Sequence, residues 1–301
     1  MEKSYYIQSQ KGCEYMLPIQ IDLPKNFLEE EIRCGYKISS EMKKVWAVQI
    51  DLLEQVKKIC KNHGLKYFAD SGTLIGAIRH KGYIPWDDDI DVQLPRKDYE
   101  VLIEEFNVSP PEDLRLRSLF SSKDYNLPYA KIENVKTCII EYADSNVDIG
   151  VNIDIFPIDS IPDNKIIRVL YIFIIKMIYS LYMLKVVRIS KERCFIKNSV
   201  LVIGKSLLYF ISARNLARFY DCILLKKNQT TNYVAELVDC TYNKFFTRKA
   251  INNYTNIEFE GCFFRTMIGY DEYLNKTYGN YMELPPIDKR VSHHTFKAYW
   301  K

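Results

Sequence analysis

Pro85-Trp86-Asp87-Asp88-Asp89-Ile90-Asp91-Val92 sets four carboxylates within five residues, and a small-residue turn, Asp70-Ser71-Gly72-Thr73, lies just upstream. Ile90 and Val92 flank the last acid and anchor an expected strand over 90–94. Successive side chains point to opposite faces of a strand, so Asp89 and Asp91 would share one face about 6–7 Å apart. Two like charges at that spacing repel by about 3 kcal/mol at an effective dielectric near 20. A divalent cation between them removes that penalty. Hard oxygen ligands suit Mg²⁺ or Mn²⁺, and Mg²⁺ is commonly shared with substrate phosphates. The stretch therefore predicts metal-assisted chemistry on a phosphate. An acidic run is more often a solvated loop, but here the acids interleave with Trp86, Ile90, Val92 and Leu94, an alternation that a loop does not need.

Working outward, Ser39 or Ser40 caps a helix expected to reach Asn62, with Val45, Val48, Leu52, Val56 and Ile59 at helical spacing and Gly64 as its stop. Leu65–Ala69 reads as a short buried strand. A helix over 73–80 is entered through Ser71-Gly72, and another covers 97–106. Short strands are expected near 114–119, 128–133, 137–142 and 151–156, the last stopped by Pro157. Residues 166–187 are nearly all apolar, and a second apolar helix is expected over 199–226. A hairpin near 256–265, a helix near 270–278 and a loop over 279–286 complete the chain.

The 301 residues can bury a large core. A net charge of +4 is no sign of a nucleic-acid polymer as partner. The eight Cys are scattered, with no Cys-x-x-Cys pair, and there are only four His. Neither a zinc site nor a disulfide framework is expected, and reduced thiols fit a cytoplasmic protein. The N-terminus has no apolar run of the signal-peptide type.

A strand, a Gly-Ser-type turn opening a helix, and a second strand with Asp-x-Asp form one constellation. The backbone N–H groups of the turn and the helix N-terminus can hold phosphate oxygens. Ser71, Gly72 and Thr73 are the candidates for that contact, with Asp89 and Asp91 as metal ligands. Asp154 is the candidate third carboxylate, because it sits in an apolar strand where an unpaired charge is costly; Asp148 and Asp159 are the alternatives. Asp87 and Asp88 are candidates to orient the site from behind. Trp86 is a candidate stacking or core residue. Arg79, His80 and Lys81, which lie between the turn and the acids, and Arg290 with His293 and His294 are candidates to balance phosphate charge.

The block Tyr67-Phe68-Ala69-Asp70-Ser71-Gly72-Thr73-Leu74-Ile75-Gly76-Ala77-Ile78-Arg79-His80-Lys81-Gly82-Tyr83-Ile84-Pro85-Trp86-Asp87-Asp88-Asp89-Ile90-Asp91 strongly resembles the LicD family. Asp154-Ile155-Phe156-Pro157-Ile158-Asp159 resembles its second block. Tyr273-Leu274, Tyr278-Gly279-Asn280-Tyr281-Met282 and Leu284-Pro285-Pro286 resemble its C-terminal block. The sequence departs from the family where Lys136, not Asn, precedes Thr137, and where Arg265-Thr266-Met267-Ile268 precede Gly269-Tyr270-Asp271 without a Pro.

The resemblance implies an α+β fold of the nucleotidyltransferase (polymerase-β-like) type, a mixed sheet flanked by helices with an added apolar helical region. The expected organisation is an N-terminal extension (1–38), a catalytic core (39–162), an apolar helical insertion (163–228) and a C-terminal part completing the same domain (229–301). The implied reaction, on phosphocholine-type or alditol phosphates, moves a substituted phosphate from a CDP-activated donor (choline, ethanolamine, glycerol or ribitol) to a hydroxyl of a cell-surface glycan, releasing CMP. Polysaccharide, teichoic acid or capsule biosynthesis is the setting, and a lipid-linked acceptor is compatible with it. Asp89, Asp91 and Asp154 would then be both catalytic and metal-binding. Among the basic groups the resemblance favours Arg79 and adds Lys131 as a phosphate contact. An NTP-dependent nucleotidyltransferase and a non-catalytic binding protein are the rival readings.

The apolar stretches 166–187 and 199–226 are read either as buried helices of the domain or as candidates for peripheral contact with the inner face of the cell membrane. A central Lys176 costs about 2.5–3.5 kcal/mol on the insertion scale, which disfavours spanning.

Overall fold

A computed structural model of the chain describes residues 6–8, 14–141, 149–189, 194–226, 230–238, 245–292 and 296–300. Among these residues are seven α-helices: α1 (Ser40–Asn62), α2 (Ser71–His80), α3 (Arg96–Val108), α4 (Lys165–Val186), α5 (Phe195–Leu207), α6 (Ala213–Lys226) and α7 (Tyr270–Tyr278). The architecture is a mixed sheet with helices packed against it.

Local chemistry sets the ends of α1. The Ser39 hydroxyl accepts from the Met42 N–H at 3.2 Å. At the far end Leu65 N donates to Cys60 O and Gly64 N to Lys61 O, with Gly64 at φ 65°, which is the Schellman arrangement.

The strand Asn152–Ile161 is the spine of the sheet. It runs parallel to Asp91–Pro95 and antiparallel to Ala130–Asn134 over its first half and to Tyr233–Glu236 over its second. Phe68–Ala69 lies antiparallel on the other side of Asp91–Pro95, Leu114–Arg117 pairs with Ala130–Asn134, and Phe245–Thr247 pairs with Tyr233–Glu236.

Pro157 does not stop the spine, contrary to expectation. It falls between the last residue paired to Ala130–Asn134 and the first paired to Tyr233–Glu236, where that side asks for no ladder N–H. The Asp-bearing strand begins at Asp91, so Asp89 sits in the loop ahead of it. The preceding strand is shorter than expected, Phe68–Ala69.

The main core packs α1, α2 and α3 against the sheet through Trp46, Leu52, Ile90, Val92, Ile153 and Ile155, all buried. A smaller cluster joins Tyr171, Ile172 and Ile175 of α4 to Tyr220 and Leu224 of α6 and to Ile161 at the end of the spine. The expected single helix over 199–226 is two helices. The break is made by Ser212, whose hydroxyl accepts from Asn215 N at 3.1 Å and starts α6 afresh.

A buried ion triad ties these layers. Arg96 of α3 grips Asp159 of the spine through two bonds of 2.7 Å and reaches Asp221 of α6 at 2.9 Å. Burial alone pulls the Arg96 pKa down, and the two carboxylates reverse this and raise it.

Candidate active site

The site is built where the two parallel strands meet. Asp91 and Asp154 are register partners, and Lys131 faces Asp154 from the next strand, so three charged side chains form a row across the sheet. Asp91 is fixed at its backbone. Its N–H donates to the Thr73 hydroxyl at 2.8 Å, and its carbonyl accepts from Asp70 N at 3.0 Å. The Asp154 N–H donates to Ile90 O at 2.9 Å. The Lys131 ammonium is ion-paired with Asp154 and donates to Asn152 Oδ1 at 3.0 Å.

The loop ahead of Asp91 brings more acid to this end of the sheet. Ligand oxygens of Asp87, Asp88 and Asp89 lie within 4.8 Å of one another. Helix α1 holds the loop backbone. Trp46 Nε1 donates to Asp87 O at 3.2 Å, and Gln49 Nε2 donates to Asp88 O at 2.9 Å. Gln49 is itself held by the Tyr83 hydroxyl at 3.0 Å, and Tyr83 stacks on Trp46 with ring centroids 4.2 Å apart.

At Gly72 a Cβ would meet Asp87 Oδ2 at 2.4 Å. The missing side chain therefore lets the Asp87 carboxylate lie against the N-terminal turn of α2, where the helix dipole favours an anion. Ser71 enters that helix at φ 45°, a left-handed conformation that is costly for a residue with a Cβ.

Electrostatics mark the cluster. Burial, then Asp89, Asp154, Asp70 and Asp87, push the Asp91 pKa well above the carboxylate range. Asp87 is likewise raised, by burial and then by Asp89 and Asp88. Acids gathered in this way call for a cation, and an all-oxygen donor set fits Mg²⁺ or Mn²⁺. Asp89 belongs both to the loop trio and to the charges acting on Asp91, so it joins the two groups.

The other expected site residues fall into two places. Ser71, Gly72 and Thr73 sit at the start of α2 beside the acids, with the Thr73 hydroxyl turned inward to Asp91. Arg79 and Arg290 lie with Trp86 in a separate group. Arg79 donates to Tyr281 O at 2.6 Å and Glu283 O at 3.0 Å. Arg290 donates to Pro285 O at 2.8 Å and Cys34 O at 3.1 Å, with its guanidinium 5.7 Å from the Trp86 ring centre. Arg79 thus staples the C-terminal loop onto α2, and Arg290 ties the same loop to the turn at Cys34.

Of the alternative acids, Asp159 is taken by Arg96. Asp148, His293 and His294 lie outside the described residues. The Thr137 hydroxyl donates to Asn134 O and accepts from Val151 N, so it braces a turn.

Sequence reasoning passed over Asp70 and its supports. Asp70 is fully buried and accepts from Gln93 Nε2 at 3.1 Å and from the Tyr273 hydroxyl at 2.5 Å. Its signal was its place directly before Ser71, together with Gln93 two residues after Asp91 on the same strand face.

The site thus combines a buried Asp pair on a mixed sheet, an acidic loop and a helix N-terminus. The chain carries a LicD-family domain: residues 64–172 match the family described as LicD/FKTN/FKRP, nucleotidyltransferase domain. It is 29% identical over 265 residues, 84% of this chain and 95% of the relative, to the lipopolysaccharide cholinephosphotransferase LicD of Haemophilus influenzae. It is also 30% identical over 107 residues to an uncharacterized protein of Rickettsia prowazekii, covering 34% of this chain and 36% of that one.

Proposed function

We propose that the protein transfers a phosphocholine-type group from a CDP-activated alcohol to a hydroxyl of a cell-surface glycan, on a nucleotidyltransferase-like fold. The observation that carries this reading is the row Asp91–Asp154–Lys131 joined to the Asp87–Asp89 loop at the start of α2. Its support from kinship is the likeness to the Haemophilus cholinephosphotransferase.

In the reaction the acceptor oxygen attacks the phosphorus that bears the alcohol. The bond from that phosphorus to the bridging oxygen breaks, CMP leaves, and the acceptor proton passes to a carboxylate. Phosphoryl-type transfer asks for positioning and charge neutralisation more than covalent help. Asp89, Asp91 and Asp154 would hold Mg²⁺ or Mn²⁺, which would neutralise pyrophosphate charge. Ser71, Gly72 and the first turn of α2 present N–H groups to phosphate oxygens. Lys131 supplies the fixed positive charge beside Asp154. Asp154 serves as a third ligand or as acceptor of the hydroxyl proton. Asp70 and Thr73 hold Asp91 in place from behind.

The test is CMP release. Protein with Mg²⁺ and a glycan acceptor is offered CDP-choline, CDP-ethanolamine, CDP-glycerol and CDP-ribitol separately, with Asp89→Asn as control. Metal-dependent CMP from one donor, lost by at least about a hundredfold in the variant, supports the reading and names the alcohol. Pyrophosphate from an NTP instead would favour the nucleotidyltransferase alternative.

A further inference from the structure

The helices α4, α5 and α6 present an apolar surface that nothing in the described fold covers. On α4, Ile166, Leu170, Phe173, Met177 and Leu181 recur every three or four residues, and all are exposed, Ile166 to 80%. The opposite stripe of the same helix, Tyr171, Ile172, Ile175 and Tyr182, is buried against the protein. On α5, Ile196, Val200, Ile203 and Leu207 repeat the pattern, with Leu207 80% exposed. The turn into α6 adds Tyr209, Phe210 and Ile211, of which Phe210 is 95% exposed. Isolated exposed apolar residues are ordinary, but continuous stripes of this length on a helical hairpin mark an interaction surface.

Charge decides the occupant. Between Asp163 and Asp221 the chain carries eleven Lys or Arg and a single acid, Glu192, while the whole chain has a net charge of only +4. The remainder of the protein is therefore net acidic, and eight of these eleven basic residues lie on α4, α5 and α6. Two copies of such a surface would repel each other. A bilayer rich in anionic headgroups offers apolar depth and negative charge together.

The geometry favours lying along the surface over crossing it. Helix α4 is long and apolar enough to cross a membrane by length and composition. One side of it, however, is packed into the cluster with Tyr220 and Leu224, so only its outer stripe is free to meet lipid. The hairpin is also braced against α4 by polar contacts. Lys185 Nζ donates to Leu208 O at 3.0 Å, and Lys205 Nζ donates to Lys185 O at 2.9 Å.

We infer that the outer face of α4, α5 and the Tyr209–Ile211 turn docks on an anionic lipid surface, with the apolar stripes entering the headgroup–acyl boundary. This stands independently of the proposed reaction, and its test reads lipid binding alone. The full chain is mixed with vesicles of phosphatidylcholine alone or of phosphatidylcholine with phosphatidylglycerol and separated by flotation. The same is done for the paired variant Ile203→Asp/Phe210→Asp, whose sites are exposed, with thermal unfolding as the check on its fold. The wild type should float with the anionic vesicles roughly tenfold or more better than with the neutral ones. In about 1 M salt, where the screening length is about 3 Å, that preference should collapse. The folded double variant should stay with the unbound protein. Failure of the wild type to float with anionic vesicles overturns the inference. So does a folded double variant that floats as well as wild type, or a wild type that ignores vesicles while forming dimers that the double variant abolishes.

Discussion

Asp91 is a carboxylate placed where a carboxylate is poorly tolerated, buried and facing acids from three directions. Such a group weakens the folded state in return for function. Replacing it with Asn removes one partner from each repulsion, and a like-charged pair on neighbouring strands, about 5 Å apart, repels by about 3 kcal/mol at an effective dielectric near 20. Asp91→Asn should therefore resist denaturant better than wild type in metal-free buffer, by about 1–3 kcal/mol, while losing CMP release. A variant that is both less stable and inactive would sink this account of the site. Asp91 and Asp154 stood out in the sequence because acids among apolar strand residues need a reason, whereas Asp89, expected on the same strand face as Asp91, lies in the loop ahead of that strand. Asp70, Gln49 and Tyr273 were not, because their partners are remote in sequence and each alone reads as an ordinary polar residue.

Helix α2 carries two glycines with different duties. A Cβ at Gly72 meets the end of the Asp87 side chain, which can swing away, whereas a Cβ at Gly76 meets the backbone carbonyl of Gly82 at 2.4 Å, which cannot. Gly72→Ala should leave the unfolding midpoint nearly unchanged and depress turnover by displacing Asp87. Gly76→Ala should lose about 1–3 kcal/mol of stability, measured by chemical denaturation. Equal effects of the two on stability would refute the distinction. The elements themselves were largely readable, since α1, α2, α3, α7 and the Tyr254–Met267 hairpin follow periodicity, caps and stops. The break before α6 was hidden because Tyr209–Ile211 continues the apolar pattern, and a lone Ser212 reads as readily as a helix-interior residue as a cap. Pro157 misled because a strand with two successive partners on one edge has a gap that sequence does not display.

Across the whole molecule, the Arg96–Asp159–Asp221 triad couples the apolar helices to the sheet that bears the site. Arg96→Met would leave two buried carboxylates without their cation, and removing one partner of such a group costs about 3–5 kcal/mol. The loss should appear as a lower unfolding midpoint. An unchanged midpoint would mean that water or a rearranged side chain already compensates the acids. No sequence pattern announced this triad, because its three members come from α3, the spine and α6.

The parallel pairing of Asp91 with Asp154 makes the strand alignment self-checking. Side chains alternate along each strand, so a slip of one residue would turn Asp154 away and offer Ile155 in its place. An ion that needs both carboxylates binds only the correctly aligned sheet. Bound there, such an ion would proofread the fold, favouring the native alignment over its near misses by its binding free energy.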